Sequence, residues 1–172
     1  MTNRKFLRRT YRTIGEFTED LRFIWANRPL LRRAMRELVP PAFRERLMMV
    51  VTEVNGCRYC SYFHARNALA AGVTEDELRE LLDRSIPKDT PPDELPALTY
   101  AQHWAETGAH PDPEPVRRLV ETYGPEKADA IHIVLRMIRV GNLLGNFWDY
   151  LLYRITFGLA GLREDEMRYA NS

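Results

Sequence analysis

The chain has 172 residues, of which 45% are hydrophobic and 28% are charged, and its formal net charge at pH 7 is +1. This length fits one domain with its own core, and this composition excludes an intrinsically disordered chain. No apolar run approaches the roughly 20 residues that a membrane-spanning helix requires, so we expect no membrane span.

The N-terminal part of the chain is basic. Residues 1–46 contain 12 Lys and Arg against 5 Asp and Glu, a net charge of +7, and the remainder carries −6. A basic arm can bind nucleic acid or a membrane surface, but no known nucleic-acid-binding motif accompanies this charge. We therefore expect no nucleic-acid partner and favour an arm that lies on the acidic body of its own or a neighbouring subunit. The segment has no secretory signal, which predicts a cytoplasmic location.

Apolar residues recur at helical spacing along nearly the whole chain, and the alternation of β-branched residues that is typical of strands is scarce. The sequence therefore predicts an all-α protein. It divides into a basic helical N-terminal arm, residues 1–39, and a helical domain, residues 40–172. The predicted helices, in chain order, cover residues 13–27, 29–38, 42–54, 57–71, 74–85, 95–107, 113–122, 125–141 and 143–158.

The helix predicted for residues 42–54 is apolar over most of its circumference, so we expect it to be central. Its apolar residues are Phe43, Leu47, Met48, Met49, Val50, Val51 and Val54. Gly56 ends it, as glycine does just past a helix C-terminus. Further along, Thr74 followed by Glu77 predicts a capping box at the start of a helix. The stretch "IPKDTPPDELP" predicts a proline-rich loop.

Two segments of the chain share a faint likeness. Residues 44–64 and 129–149 each carry an apolar helix, a glycine and a second helix, and a shift of 85 residues aligns Gly56 with Gly141. The cysteines and the histidine of the first segment have no counterpart in the second. The pattern suggests a degenerate internal repeat, in which the second copy of a duplicated helical hairpin has lost the cysteines and the histidine.

The stretch "NGCRYCSYFH", residues 55–64, holds both cysteines of the chain and one of its four histidines. On a helix, Cys57 and Cys60 lie about 60° apart and His64 projects between them, so all three share one face. The first turn of a helix has unpaired N–H groups that favour thiolates, and the neighbouring imidazole can exchange a proton with a thiol. These features predict a redox-active dithiol.

Two other interpretations of the cysteine pair remain. A structural zinc site needs four ligands, but the chain has no further cysteine, and His103, His110 and His132 lack a matching spacing. We therefore assign no metal ligands. The cysteines could also be small core residues, with His64 merely hydrogen-bonded. The dithiol interpretation is favoured over both.

Two glutamates are candidates for the proton acceptor that a dithiol site needs. Glu53 lies four residues before Cys57, and Glu45 lies two turns earlier on the apolar helix. Either could instead be a solvated glutamate or the partner of Arg44 or Arg46. Spacing alone does not choose between them.

The arrangement of Glu45, eleven residues, Cys57-x-x-Cys60, three residues and His64 resembles a known motif. It is similar to that of the AhpD-like alkylhydroperoxidase group within the carboxymuconolactone decarboxylase family. The run "HARNALAAG", which begins at the histidine, also resembles this family, and the close likeness covers about residues 40–82.

The resemblance implies a role for each residue of the motif. Cys60 would attack a hydroperoxide as a thiolate, Cys57 would close the disulfide, and His64 would relay a proton between Cys60 and Glu45. An external dithiol or lipoyl-type donor would then reduce the disulfide, so no bound cofactor is implied. The family fold is a helical bundle that assembles into homo-oligomers.

The chain departs from some peroxidases of the group at Tyr59, which stands where they have a second histidine. Tyrosine donates a hydrogen bond but is a poor base near neutral pH. General thiol–disulfide exchange therefore remains an alternative to peroxide reduction. A non-catalytic redox-sensing or ligand-binding protein is another alternative, and the basic arm would support it.

Polar residues within the apolar C-terminal helices are predicted to have structural roles. Asn142 and Asn146 could line a pocket, but hydrogen bonds between helices are the favoured prediction. His132, on an apolar helix, is expected to be a hydrogen-bonded core residue.

Overall fold

The structure is a computed structural model that describes residues 5–164 and 166. Within these residues the protein is helical and contains no strand, which confirms the predicted all-α class. The helices are α1 (Ile14–Ala26), α2 (Arg28–Arg33) followed by a π-helical turn (Ala34–Leu38), α3 (Pro41–Asn55), α4 (Arg58–Ala70), α5 (Glu75–Leu82), α6 (Leu95–Glu106) and α7 (Pro113–Ile155).

Helix α3 is the centre of the bundle, as predicted. It packs against α4, α5, α6 and α7, and the apolar residues named above are buried except for half-buried Val54. Gly56 follows it in the left-handed region, with φ 76°, where a side chain would be strained. The chain therefore turns sharply between α3 and α4, so the start of α4 lies beside the end of α3.

Helix α7 differs in part from the prediction of three helices over the same residues. The first predicted break is confirmed, because Gly124 has non-helical angles (φ 75°, ψ 162°) just before Pro125. The second, at Asn142 just after Gly141, is wrong, since the helix continues through both residues. A glycine inside a helix costs only about 1 kcal/mol, which packing can offset. The second hairpin of the suggested internal repeat is therefore not formed.

The basic N-terminal segment contacts carboxylates of its own chain. Arg8 forms ion pairs with Asp149 and Glu166, which agrees with the favoured interpretation of the arm. Helices α1 and α2 pack against α7. The boundary between the two predicted segments, at residues 39 and 40, stays a prediction. Residues 1–4 of the first segment and 167–172 of the second lie outside the described residues.

None of the helices in the described part of the chain combines the length and the apolar character needed to cross a bilayer.

The predicted capping box at the start of α5 is formed. The Glu77 amide donates to Thr74 Oγ1 at 3.2 Å, and the Thr74 amide donates to Glu77 Oε2 at 2.8 Å. These bonds satisfy two N–H groups that have no partner within the helix.

We expect Thr74→Ala to lower the free energy of unfolding by about 1 kcal/mol, because an N-terminal N–H group of α5 loses its acceptor. Thr99→Ala is the matched control. The Thr99 hydroxyl donates to the Leu95 carbonyl within α6 and caps no helix. Its loss should change stability by less than about 0.5 kcal/mol. Urea unfolding of both variants measures the difference, and equal effects would contradict the capping role.

Candidate functional site

The two cysteines lie where α4 begins, and their sulfur atoms face each other. Cys57 is the N-cap residue of α4, and its sulfur accepts a hydrogen bond from the Cys60 amide at 3.4 Å. The two Sγ atoms are 2.8 Å apart and both thiols are free. A disulfide bond is about 2.05 Å long, so the sulfurs are close to bonding distance. Cys57 is buried and Cys60 is half-buried.

His64, one turn beyond Cys60 on α4, pairs directly with Glu45 on α3. His64 Nδ1 lies 2.7 Å from Glu45 Oε2, and their side chains are 13% and 7% exposed. Arg44 Nε lies 3.9 Å from the other Glu45 oxygen, whereas Arg46 pairs with Glu77 and Glu94 instead. Glu45 is thus a buried carboxylate that orients the imidazole, because a partner at Nδ1 fixes the ring.

The second candidate glutamate has a different partner. Glu53 is also buried, and its Oε1 accepts a hydrogen bond from the Ser61 hydroxyl at 2.6 Å. Burial raises the pKa of Glu53, while Ser61 and the guanidinium groups of Arg163 and Arg84 oppose that rise. Glu53 also lines a pocket of about 490 Å³ beside the end of α3. The structure therefore pairs His64 with Glu45 and leaves Glu53 beside the site.

The two thiols differ in acidity. The hydrogen bond donated by Cys57 lowers the pKa of Cys60 to about 7, and Asn142 and His64 contribute in the same direction. The pKa of Cys57 is raised, because its proton is held between the sulfurs and the side chain is buried. The expectation that the helix start favours both thiolates is wrong for Cys57. It caps the helix from outside the first turn and acts as the donor.

Two glycines on α7 lie beside the two sulfurs, and one of them, Gly145, leaves space that a side chain would fill. A Cβ atom placed on Gly145 would lie 2.8 Å from Cys57 Sγ, and one on Gly141 would lie 3.9 Å from Cys60 Sγ. Real Cβ atoms do not approach as closely as the first distance. The sequence analysis did not identify these residues as part of the site. Two glycines one turn apart inside an apolar helical run are the signal that could have found them.

Two asparagines of α7 hydrogen-bond to α3, which confirms the prediction of contacts between helices. Asn142 Nδ2 donates to Thr52 Oγ1 at 3.0 Å, and its Oδ1 accepts from Asn55 Nδ2 at 3.1 Å. Asn146 Nδ2 donates to the carbonyl oxygens of Asn55 and Arg9, each at 2.8 Å. Both asparagine side chains are buried, so these bonds offset part of the cost of removing the amides from water, although Asn146 Oδ1 has no hydrogen-bond partner among the described residues.

Both residues between the cysteines bind one buried carboxylate. Asp149 Oδ1 accepts from Arg58 Nη2 and from the Tyr59 hydroxyl, each at 2.7 Å. Its Oδ2 accepts from Arg8 Nη1 at 2.5 Å. Tyr59 therefore donates to Asp149 on α7. The sequence analysis did not assign Asp149 to the site.

The other histidines have partners elsewhere. His132 Nε2 lies 2.8 Å from the Tyr100 hydroxyl, and burial lowers the pKa of His132, as expected of a core residue. His103 Nε2 accepts from the Asp112 amide at 3.2 Å. Across residues 5–164 and 166, no group of three or more His, Cys, Asp or Glu side chains is arranged to hold a metal ion.

The difference between the two thiols predicts selective alkylation. In the reduced protein, iodoacetamide should label Cys60 before Cys57, at a rate that rises with pH through a midpoint at about 7. The reason is that the thiolate is the nucleophile and accumulates above the pKa. Peptide mass spectrometry at a series of pH values measures both rates. Faster labelling of Cys57, or a midpoint near the ordinary value of 9.0, would contradict the assignment.

The glycine pair supplies a second prediction with an internal control. Gly145→Ala should displace the Cys57 sulfur and weaken its hydrogen bond to Cys60, so the alkylation midpoint of Cys60 should move upward. Gly141→Ala introduces only an ordinary van der Waals contact, and alanine favours the helix by up to about 1 kcal/mol. It should leave the midpoint unchanged and stabilise the protein. The same midpoint in both variants would contradict the contact with Cys57.

Comparison with known proteins identifies the family. Residues 15–106, more than half of the chain, match the model of the Carboxymuconolactone decarboxylase family, and this segment contains Glu45, Cys57, Cys60 and His64. No curated protein and no solved structure matches the chain. The glycines, asparagines and Asp149 of α7 lie beyond the matched segment. The chain belongs to the carboxymuconolactone decarboxylase family.

Proposed function

We propose that the protein is an AhpD-like, thiol-dependent hydroperoxide reductase. The observation that carries the proposal is the asymmetry of the two thiols. The Cys57 thiol donates to Cys60 Sγ across 2.8 Å, and this hydrogen bond lowers the pKa of Cys60 to about 7 while the proton stays on Cys57. A thiolate at neutral pH beside a protonated partner is what attack on a peroxide followed by disulfide closure requires.

The proposed reaction has three balanced steps. The Cys60 thiolate attacks a peroxide oxygen of ROOH and breaks the O–O bond, and a proton delivered to the leaving oxygen gives ROH and Cys60 sulfenic acid. Cys57 then attacks the Cys60 sulfur, loses its proton and expels water, which forms the disulfide. An external dithiol reduces that disulfide and is itself oxidised. The sum is ROOH plus a dithiol giving ROH, water and a disulfide.

In this proposal, His64 and Glu45 transfer the protons of the reaction. A buried carboxylate that holds Nδ1 stabilises the protonated imidazole, as in other pairs of a histidine with a carboxylate. The pair can therefore give a proton to the leaving alkoxide and accept one when Cys57 becomes a nucleophile. Glu53 has no part in this relay, since its hydrogen bond is to Ser61.

The proposal includes a cytoplasmic location and self-association. A dithiol that must be reduced in every cycle suits a reducing compartment. Helices α4 and α7 pack against each other, and both expose aromatic side chains. Phe63 and Trp148 are each 58% exposed. Large exposed apolar side chains of this kind are typical of interfaces between subunits.

A redox sensor is the second candidate function. The observation that favours it is the ion pair of Arg8, in the basic arm, with Asp149, which also binds the two residues between the cysteines. Disulfide formation could alter this contact and release the arm. The sensor needs no peroxide turnover, so kinetics separate the two functions.

The test is peroxide consumption with cumene hydroperoxide, using dithiothreitol and dihydrolipoamide as donors. Cys60→Ser should abolish turnover, and Cys57→Ser, assayed without a donor, should consume one equivalent of peroxide and stop at a sulfenic acid that dimedone traps. Glu45→Gln should lower kcat by about 10²- to 10⁴-fold, the usual contribution of general acid–base catalysis. Glu53→Gln is the matched control, since it keeps the acceptor for Ser61, and should retain the native rate.

The possible negative results contradict different parts of the proposal. Equal rates for the native protein and Glu45→Gln would contradict the relay but leave the dithiol intact. Turnover no faster than that of Cys60→Ser with every donor would contradict the enzyme and favour the sensor. In that case, peroxide should still oxidise the dithiol and increase proteolysis of the arm.

A further inference from the structure

The outward face of α1 carries an apolar stripe that the described part of the chain leaves exposed. The stripe consists of Ile14, Leu21 and Trp25, which are 81%, 42% and 66% exposed. At 100° per residue, the three side chains project within about 40° of one another and extend over about 16 Å of the helix. A single exposed apolar residue is ordinary on a protein surface, whereas an aligned group of them marks an interaction site.

The opposite face of α1 determines which way the stripe points. Asp20 is buried and accepts hydrogen bonds from Arg136 and Arg139 of α7, and Phe23 packs against the core. Asp20 and Trp25 project about 140° apart around the helix. Because Asp20 holds one face of α1 to α7, the stripe is turned away from the body of the protein.

Four exposed arginines accompany the stripe. Arg22 projects about 60° from Trp25 on α1, beside the stripe. Arg28, Arg32 and Arg36 follow at intervals of four residues on α2 and the π-helical turn, which begin directly after α1. Arg28 Cζ lies 3.7 Å from the centre of the Trp25 ring, so this line of arginines starts on the stripe itself. None of the four forms an ion pair with a carboxylate within residues 5–164 and 166.

The acidic residues of the same helices do not neutralise this surface. Glu16 forms an ion pair with Arg12, and Glu37 forms one with Arg33. Glu19 is exposed, but it projects at least about 120° from each residue of the stripe. The stripe and the four arginines therefore form a surface that is both apolar and cationic.

We propose that this surface binds a membrane whose lipids are anionic. An amphipathic helix with an apolar face and basic flanks lies in the plane of a bilayer and buries the apolar face at the boundary between headgroups and acyl chains. Tryptophan favours the level of the headgroups, and arginine forms charge-assisted hydrogen bonds with lipid phosphates. Binding of this kind needs no membrane-spanning helix. The inference does not depend on the reaction proposed for the dithiol.

Charge complementarity favours a lipid surface over a second copy of this chain. In a twofold contact the same patch meets itself, so the four arginines of one copy would lie close to those of the other and repel them. Duplex nucleic acid would supply phosphates, but it offers no apolar layer for Ile14 and Leu21. An anionic bilayer supplies phosphates and an apolar layer together.

The experiment is flotation of the purified full-length protein with two kinds of vesicle. One is phosphatidylcholine alone, and the other contains about 30% phosphatidylglycerol, which gives the surface a negative potential. The native protein should float with the anionic vesicles and stay in solution with the neutral ones. Binding to the anionic vesicles should weaken as added NaCl screens the charges.

Substitutions on the surface should weaken binding to the anionic vesicles. Trp25→Ser should do so about tenfold, because its apolar side chain no longer leaves water. Arg22→Gln and Arg32→Gln should each weaken binding about fivefold, the usual contribution of one basic residue near an anionic surface. These side chains are exposed, so the variants should keep the native circular dichroism and melting temperature.

Two controls match these variants in residue type and lie elsewhere. Leu21→Ser removes a side chain that is 42% exposed, and Leu95→Ser removes one on α6 that is 44% exposed. Only the first should weaken binding. Arg117→Gln removes an exposed arginine near the start of α7, outside the proposed surface, and should bind as the native protein does.

Fluorescence places Trp25 in the bilayer directly. Trp104 is buried, so in a Trp148→Phe background a change of emission on binding reports on Trp25. Anionic vesicles should shift that emission to shorter wavelength, and lipids brominated on the acyl chain should quench it. Unchanged emission in vesicle-bound protein would overturn the proposal, because the stripe would then not be in contact with lipid.

The other results that contradict the proposal are equally specific. Absence of flotation with anionic vesicles would overturn it, and so would equal flotation with neutral ones. A loss of binding in Leu95→Ser as large as that in Leu21→Ser would show that the effect is not specific to the stripe. Analytical ultracentrifugation covers the second-copy alternative. If Trp25→Ser lowers the molecular mass of the native assembly, the stripe is a subunit interface and the membrane proposal is wrong.

Discussion

The close packing of α7 against the start of α4 is the constraint on which the candidate site depends. Gly145 leaves no space for even one methyl group beside Cys57 Sγ, which lies 2.8 Å from Cys60 Sγ. The same approach of the two helices brings Asp149 to the residues between the cysteines. Since interiors are as densely packed as organic crystals, a small shift of α7 would alter both contacts together.

Burying Asp149 creates an electrostatic problem, which the arginines resolve. An unpaired buried carboxylate would be costly. Arg8 and Arg58 both form ion pairs with Asp149, so its charge is balanced locally. Arg8 also packs on Gly56, where a Cβ atom would lie 3.0 Å from its Cγ. The basic arm therefore neutralises the carboxylate and covers the turn that precedes Cys57.

Local sequence signals predicted the fold and which residues lie together at the candidate site, and long-range packing explains what they missed. Helical periodicity located α3, and the spacing of Cys57, Cys60 and His64 placed them on one helix. Both features depend on residues within a few turns of one another. The contributions of Gly145, Asn142 and Asp149 depend on which face of α7 meets α4, and spacing along the chain carries no such information. The wrongly predicted break at Asn142 has the same cause, because that packing stabilises a continuous helix.

The unequal acidity of the thiols follows from their positions relative to the first turn of α4. Cys57 lies outside the helix as its N-cap, where its sulfur accepts from the Cys60 amide and its proton points to the other sulfur. Cys60 lies inside the turn and receives donors, so the negative charge collects there. In the proposed reaction, oxidation of Cys60 reverses this difference in acidity. Once Cys60 is oxidised it no longer carries the charge that held the Cys57 proton, and Cys57 becomes free to lose that proton and attack.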